Sequence, residues 1–158
     1  MTIVTGTCKK FLEELPLGIH TLFEGTPDTI KVALYGPNAV LSPYSETYTS
    51  DGEVSGGGYT AGGQACPMTV VGATGSSRSG GMQFEHPYIQ PTSDLSITVA
   101  GVGVRGFMIY NASQGNRAMF IGDFGEIKTP STGILFSWAV ADITQWGQVL
   151  IPLIGLNS

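Results

Sequence analysis

The sequence predicts a mainly-β protein, a single-domain antiparallel β-sandwich over residues 1–158 with one short N-terminal helix. Three observations carry this expectation. Apolar residues alternate at period two in several short runs, the pattern of half-buried strands. Glycine and proline, 23 and 9 of 158 residues, cut those runs at short intervals. Helical periodicity occurs once, near the start. Many short strands between Gly/Pro turns point to a sandwich, and a chain of this length buries roughly 68–70% of its unfolded surface without needing a staple.

Cys8, Phe11, Leu12 and Leu15 fall at i, i+3, i+4, i+7, which predicts a helix over about 7–15, with Thr7 as a possible N-cap and Pro16 as the stop. Its charges run against the helix dipole, with Lys9 and Lys10 at the start and Glu13 and Glu14 at the end, so packing must hold it. Ile30, Val32 and Leu34 alternate with Lys31, Ala33 and Tyr35 as a strand. A connection with exposed aromatics, Tyr44 and Tyr48, follows. Residues 64–71 read as a strand that Pro67 confines to an edge or a bulge.

Residues 72–81, Gly-Ala-Thr-Gly-Ser-Ser-Arg-Ser-Gly-Gly, read as a flexible surface loop with Arg78 as its single charge, because they offer almost no apolar area to offset ordering. Met82-Gln83-Phe84 restarts the sheet, and 86–91 reads as a rigid turn. Leu95, Ile97 and Val99 alternate. Phe107-Met108-Ile109-Tyr110 is apolar on both faces, as a central strand would be. After a turn over 111–116, Ala118 to Phe124 returns antiparallel. A polar segment, 125–133, precedes a strand carrying Ile134, Phe136, Trp138 and Val140 on one face, and 148–154 supplies a last apolar strand.

The stretch 52–63 organises the chain. Six of its twelve residues are glycine, yet it carries Val54 and Tyr59, which a free linker has no reason to contain. Each ordered glycine costs about 0.5–1 kcal/mol relative to alanine, so the expectation is a structured corner built on Gly52, Gly56, Gly58, Gly62 and Gly63 and anchored by Tyr59. A phosphate-binding loop is excluded because the required Gly-Lys-Ser/Thr ending is missing and no lysine or arginine lies within the stretch.

Charged residues are 12% of the chain, about half the usual share, and so sparse a surface suggests burial against copies of itself or a partner. The formal charge is −5 and the seven basic residues form no patch, which argues against nucleic acid. No run is long enough to span a membrane as a helix. The first residues lack signal-peptide order, which leads to the expectation of assembly in a cytoplasm, with Cys8 and Cys66 reduced and structural.

No motif for chemistry survives its context. Asp123-Phe124-Gly125 repeats three letters of a kinase motif whose other parts are absent. His20 and His86 lack the further ligands a zinc site needs. Cys66 has no histidine beside it in sequence to make it a nucleophile. Asn111-Ala112-Ser113 fits a glycosylation acceptor but reads as a hairpin turn. Arg105, in an apolar strand, is expected to be paired at a sheet edge or interface. The aromatics Phe107, Tyr110, Phe120, Phe124, Phe136 and Trp138 recur at strand spacing and read as core. Expected catalytic residues, cofactors and metals are therefore none.

Taken in order, Phe11-Leu12-Glu13, Gly18-Ile19-His20, the strand from Asp28 to Tyr35, Tyr48-Thr49, the core Glu53-Val54-Ser55-Gly56-Gly57-Gly58-Tyr59-Thr60-Ala61-Gly62-Gly63, the segment Arg105 to Ala112, and Ile121-Gly122-Asp123-Phe124-Gly125 resemble a family of small structural proteins of tailed bacteriophages. Cys66-Pro67 and the stretch 72–81 depart from it. The resemblance implies a non-enzymatic virion component, most plausibly a capsid decoration or cement protein. Its implied partner is the major capsid protein; the charge-poor surface, with the three-fold sites that icosahedral shells offer to decoration proteins, adds the expectation of further copies of itself in a homotrimer. A neck or tail component is the nearest alternative. A carbohydrate-binding or adhesion module is another, with Tyr44, Tyr48 and Tyr59 as stacking faces. Tyr44, Tyr48, Arg78 and Arg105 are the candidate interaction residues.

Overall fold

The structure, a computed structural model, describes residues 2–22, 26–71, 75–78, 81–84 and 88–137. It is mainly β. A short strand β1 (Gly6–Thr7) leads into helix α1 (Lys9–Glu14) and a 3₁₀ turn (Leu15–Leu17). The remaining strands are β2 (Ile30–Tyr35), β3 (Gln64–Ala65), β4 (Met68–Val71), β5 (Gly75–Arg78), β6 (Gly81–Phe84), β7 (Tyr88–Pro91), β8 (Leu95–Thr98), β9 (Val104–Asn111), β10 (Arg117–Lys128) and β11 (Gly133–Phe136). Five of them form an antiparallel sheet in the order β1-β10-β9-β2-β3, and β8–β11, β4–β7 and β5–β6 form two-stranded ladders.

The alternation read in the sequence explains the sheet. Leu34 lies opposite Phe107 and Val32 opposite Ile109, and directly opposed residues share a face. That face meets the β8–β11 ladder, where Phe136 packs edge-on against Phe107 at 5.1 Å and Ile97 and Ile134 are buried. Ala33, Tyr35, Met108 and Tyr110 line the other face, which the segment around 48–62 covers. With both faces covered, β9 is buried along its whole length except at Arg105, as its apolar run predicts.

Several boundaries differ from the sequence reading. Cys8, not Thr7, is the N-cap, and it makes no side-chain cap bond; Thr7 is used in β1, opposite Phe120. Leu12 is exposed and Glu14 is buried, because Glu14 finds partners within the fold. The run 64–71 breaks at Cys66-Pro67, where Pro67 cannot donate to a ladder, and the chain leaves β2 for a new partner, β7. Residues 88–91 are a strand, not a turn, and the polar residues 125–128 continue β10 past a register shift between Asp123 and Lys128.

The largest correction falls on 75–78 within the expected loop 72–81, of which 72–74 and 79–80 lie outside the described residues. Gly75–Arg78 pairs antiparallel with Gly81–Phe84, from Gly75 opposite Phe84 to Arg78 opposite Gly81. A ladder needs only backbone donors and acceptors, which Gly and Ser supply without apolar side chains. Arg78 is thus a strand residue. The expected strand positions Trp138 and Val140 and the expected strand 148–154 lie outside the described residues.

Candidate functional site

The glycine corner is ordered around one carboxylate. Gly52, Gly56, Gly57, Gly58, Gly62 and Gly63 all have positive φ. Gly57 and Gly58, at φ 61° and 94°, are the centre of a two-residue turn closed by paired Gly56 and Tyr59 backbone bonds of 3.0 Å, as in hairpin turns that need positive φ at both positions. The turn docks on the strand end after β8, with the Ala100 N–H donating to the Gly57 carbonyl at 2.8 Å. A Cβ on Gly57 would stand 2.2 Å from the Ala100 carbonyl oxygen. Only glycine fits there.

Glu53 collects three donors. The Tyr59 hydroxyl donates to its Oε1 at 2.6 Å, the Tyr48 hydroxyl to its Oε2 at 2.5 Å, and the Gly62 N–H to Oε1 at 2.9 Å. Tyr59 also accepts the Leu34 N–H at 3.1 Å. Tyr110 donates to the Gly62 carbonyl at 2.7 Å and stacks on Tyr48 at 4.6 Å, and Tyr35 donates to the Thr49 carbonyl at 2.6 Å. Burial first, and then the Glu53 carboxylate, push the Tyr48 and Tyr59 phenols well above their ordinary range. These tyrosines are neutral donors, and their work is to fasten the corner to β2 and β9.

A second polar cluster ties the N-terminal segment to the β9–β10 turn. The His20 Nε2–H donates to Glu14 Oε2 at 3.1 Å, and Asn111 Nδ2 faces His20 Nδ1 at 3.0 Å. Asn111 also donates to Asp28 at 2.7 Å, while its carbonyl oxygen accepts the Ser113 and Gln114 N–H groups. That fixes the amide and hence makes His20 Nδ1 the acceptor. Arg117 pairs with Glu14. Burial alone would raise the Asp28 carboxyl, but bonds from Asn111, the Thr21 N–H and Gln114 outweigh it and hold Asp28 below the usual carboxylate value.

The candidate interaction residues fall in different places. Tyr44 is 79% exposed, whereas Tyr48 is half-buried with its hydroxyl and ring both engaged, and Tyr59 is buried. The three do not form a stacking platform, because two of them close the corner instead. Arg105 makes a two-pronged pair with Asp123 across β9 and β10, 2.7 Å from Nε to Oδ1 and 3.0 Å from Nη2 to Oδ2. The chain itself supplies its partner.

Sequence reasoning quoted Glu53 only as a motif letter and missed Glu14, Asp28 and Asn111 as a cluster. Nothing local marks them, since their partners lie up to 103 residues away. Cys8 and Cys66 are buried, unbonded to each other, and their thiols are pushed up to about 12 by burial, which leaves them poor nucleophiles at neutral pH. Among the described residues no group of three His, Cys, Asp or Glu side chains is placed to hold a metal ion.

What the surface does offer is apolar. Val4, Leu12, Leu17, Val40 and Tyr44, all within the first 44 residues, are large apolar side chains exposed to solvent, as is Ile127. Val4, Leu12 and Tyr44, together with Lys9 and Glu13, line one open groove of about 670 Å³ beside α1. Comparisons with protein-family models, with curated proteins and with solved structures find no match for this chain.

Proposed function

We propose that this chain is a non-enzymatic structural protein of a tailed-phage virion, a capsid decoration or cement protein that binds the outer surface of the head and stabilises it. The observation that supports this reading is how the polar groups are spent. Glu53, Glu14, His20, Asp28 and the Arg105–Asp123 pair are all bound to other parts of the same chain, while three exposed apolar side chains, Val4, Leu12 and Tyr44, line one open groove. Enzymes keep poised titratable groups in a cleft, whereas proteins that coat other proteins keep apolar surface for contact.

On this reading the partners are the major capsid protein and further copies of the chain in a homotrimer, assembled in the host cytoplasm, with no nucleic acid and no membrane involved. Many copies each add a modest contact energy, and the shell gains stability by multivalency. The test is cryo-electron microscopy of purified particles together with co-sedimentation of the recombinant protein with particles lacking it. Density for this fold on the head surface is expected. Density at the neck or tail would replace the decoration role by a neck or tail role, and failure to bind any particle would overturn a virion role.

A further inference from the structure

We propose that the groove beside α1 is a two-fold contact with a second copy of this chain, formed by antiparallel packing of α1 on α1. The occupant follows from the charge order of the helix. Lys9 precedes Glu13 at i, i+4 and the two pair at 2.8 Å, both largely exposed. Within one helix this is the poorer order, since a glutamate N-terminal to a lysine is the stabilising arrangement. Across an antiparallel pair the order becomes complementary, with Lys9 of each copy opposite Glu13 of the other and each Glu13 near the start of the neighbouring helix. A two-fold interface requires this self-complementarity, in which one residue meets a second and the second meets the first.

Lys9, Leu12 and Glu13 share one helical face, so the apolar contact and the charge exchange act at the same place. Leu12 is 42% exposed and Val4 47% exposed, although the spacing of Leu12 would put it in the core of an isolated chain. In the pair, Leu12 and Val4 of each copy meet between the two helices, and Tyr44 covers the side of the groove beside Pro43. The surface pair Lys9–Glu13 is exchangeable because exposed ion pairs contribute little within one chain. This contact goes beyond the proposed virion role and is distinct from the expected trimer. It would join copies across a two-fold axis.

Sedimentation of the purified full chain tests it. Free of the particle, where no capsid three-fold site assembles the trimer, the wild-type protein is expected to dimerise, and Leu12→Asp or Tyr44→Ser to be monomeric with an unchanged circular dichroism spectrum. Lys9→Glu and Glu13→Lys should each weaken dimerisation by roughly ten-fold, because each puts like charges opposite one another. Mixed in equal amounts, those two variants should form heterodimers, since both cross-pairs become opposite in sign. A monomeric wild type, dimers that survive both Leu12→Asp and Tyr44→Ser, or no heterodimer from the mixture would each overturn the two-fold contact. Particle binding measured on the same variants keeps the two readings apart. A monomeric Leu12→Asp that still coats heads leaves the decoration role standing, and a wild-type dimer that binds no particle removes that role but not the contact.

Discussion

The Tyr59 hydroxyl donates to Glu53 at 2.6 Å and at the same time accepts the backbone N–H of Leu34 at 3.1 Å, so one phenol joins the glycine corner to the central sheet. Tyr59→Phe removes the donor to Glu53 and leaves the buried Leu34 N–H without its acceptor. The expected loss is about 1–3 kcal/mol, the usual cost of an orphaned buried polar group. Urea denaturation of the two proteins side by side checks it, with the midpoint lower and the slope unchanged in the variant.

The corner glycines should respond differently to substitution. Gly57→Ala places a Cβ 2.2 Å from a backbone oxygen, and Gly58→Val places one 2.7 Å from Thr98 Cγ2. At Gly62, by contrast, φ is 101° but nothing lies within 4 Å of an added Cβ. Gly57→Ala should therefore destabilise by more than Gly62→Ala, which carries only backbone strain of about 1–3 kcal/mol. Thermal melts of the pair give the ranking, and equal losses would show that the turn can move off Ala100.

Stability should fall at both ends of the pH scale, for different groups. Asp28 and Asp123 are held below the ordinary carboxyl value of 3.8; burial opposes the shift and their hydrogen bonds and, for Asp123, the Arg105 charge outweigh it. Depressed carboxylates contribute stability that is complete above their unfolded value and lost as pH falls through the folded one, so the acid limb lies below 3.8. Tyr35, Tyr48 and Tyr59 are raised above 10.0, by burial first. Their contribution is complete below 10.0 and declines as the unfolded phenols ionise above it. Urea midpoints measured across pH trace both limbs, and Asp28→Asn should flatten the acid one.

The two thiols should be silent in the folded protein. Cys8 and Cys66 are 0% and 1% exposed with thiols near 12, so a thiol reagent at neutral pH should label neither until the chain unfolds. Mass spectrometry before and after adding denaturant reads zero and then two additions. Fast labelling of the native protein would mean that α1 or the Cys66-Pro67 crossing opens readily.

What the sequence determined by itself was the mainly-β class, the central β9 and its return strand, the alternation in β2 and β8, and an ordered glycine corner. These are local properties. Period-two alternation and positive-φ glycines depend on neighbours a few residues away. Tertiary structure decided the rest. Whether Gly75–Arg78 is a loop or a strand depends on a partner that supplies backbone hydrogen bonds, and side-chain composition carries no record of it. Whether Glu14 faces water or Arg117, and whether Tyr48 is a contact face or a bond to Glu53, depends on pairings across the fold. A polar side chain is buried only when a distant partner satisfies it, and that partner exists only once the sheet has brought both ends of the chain together.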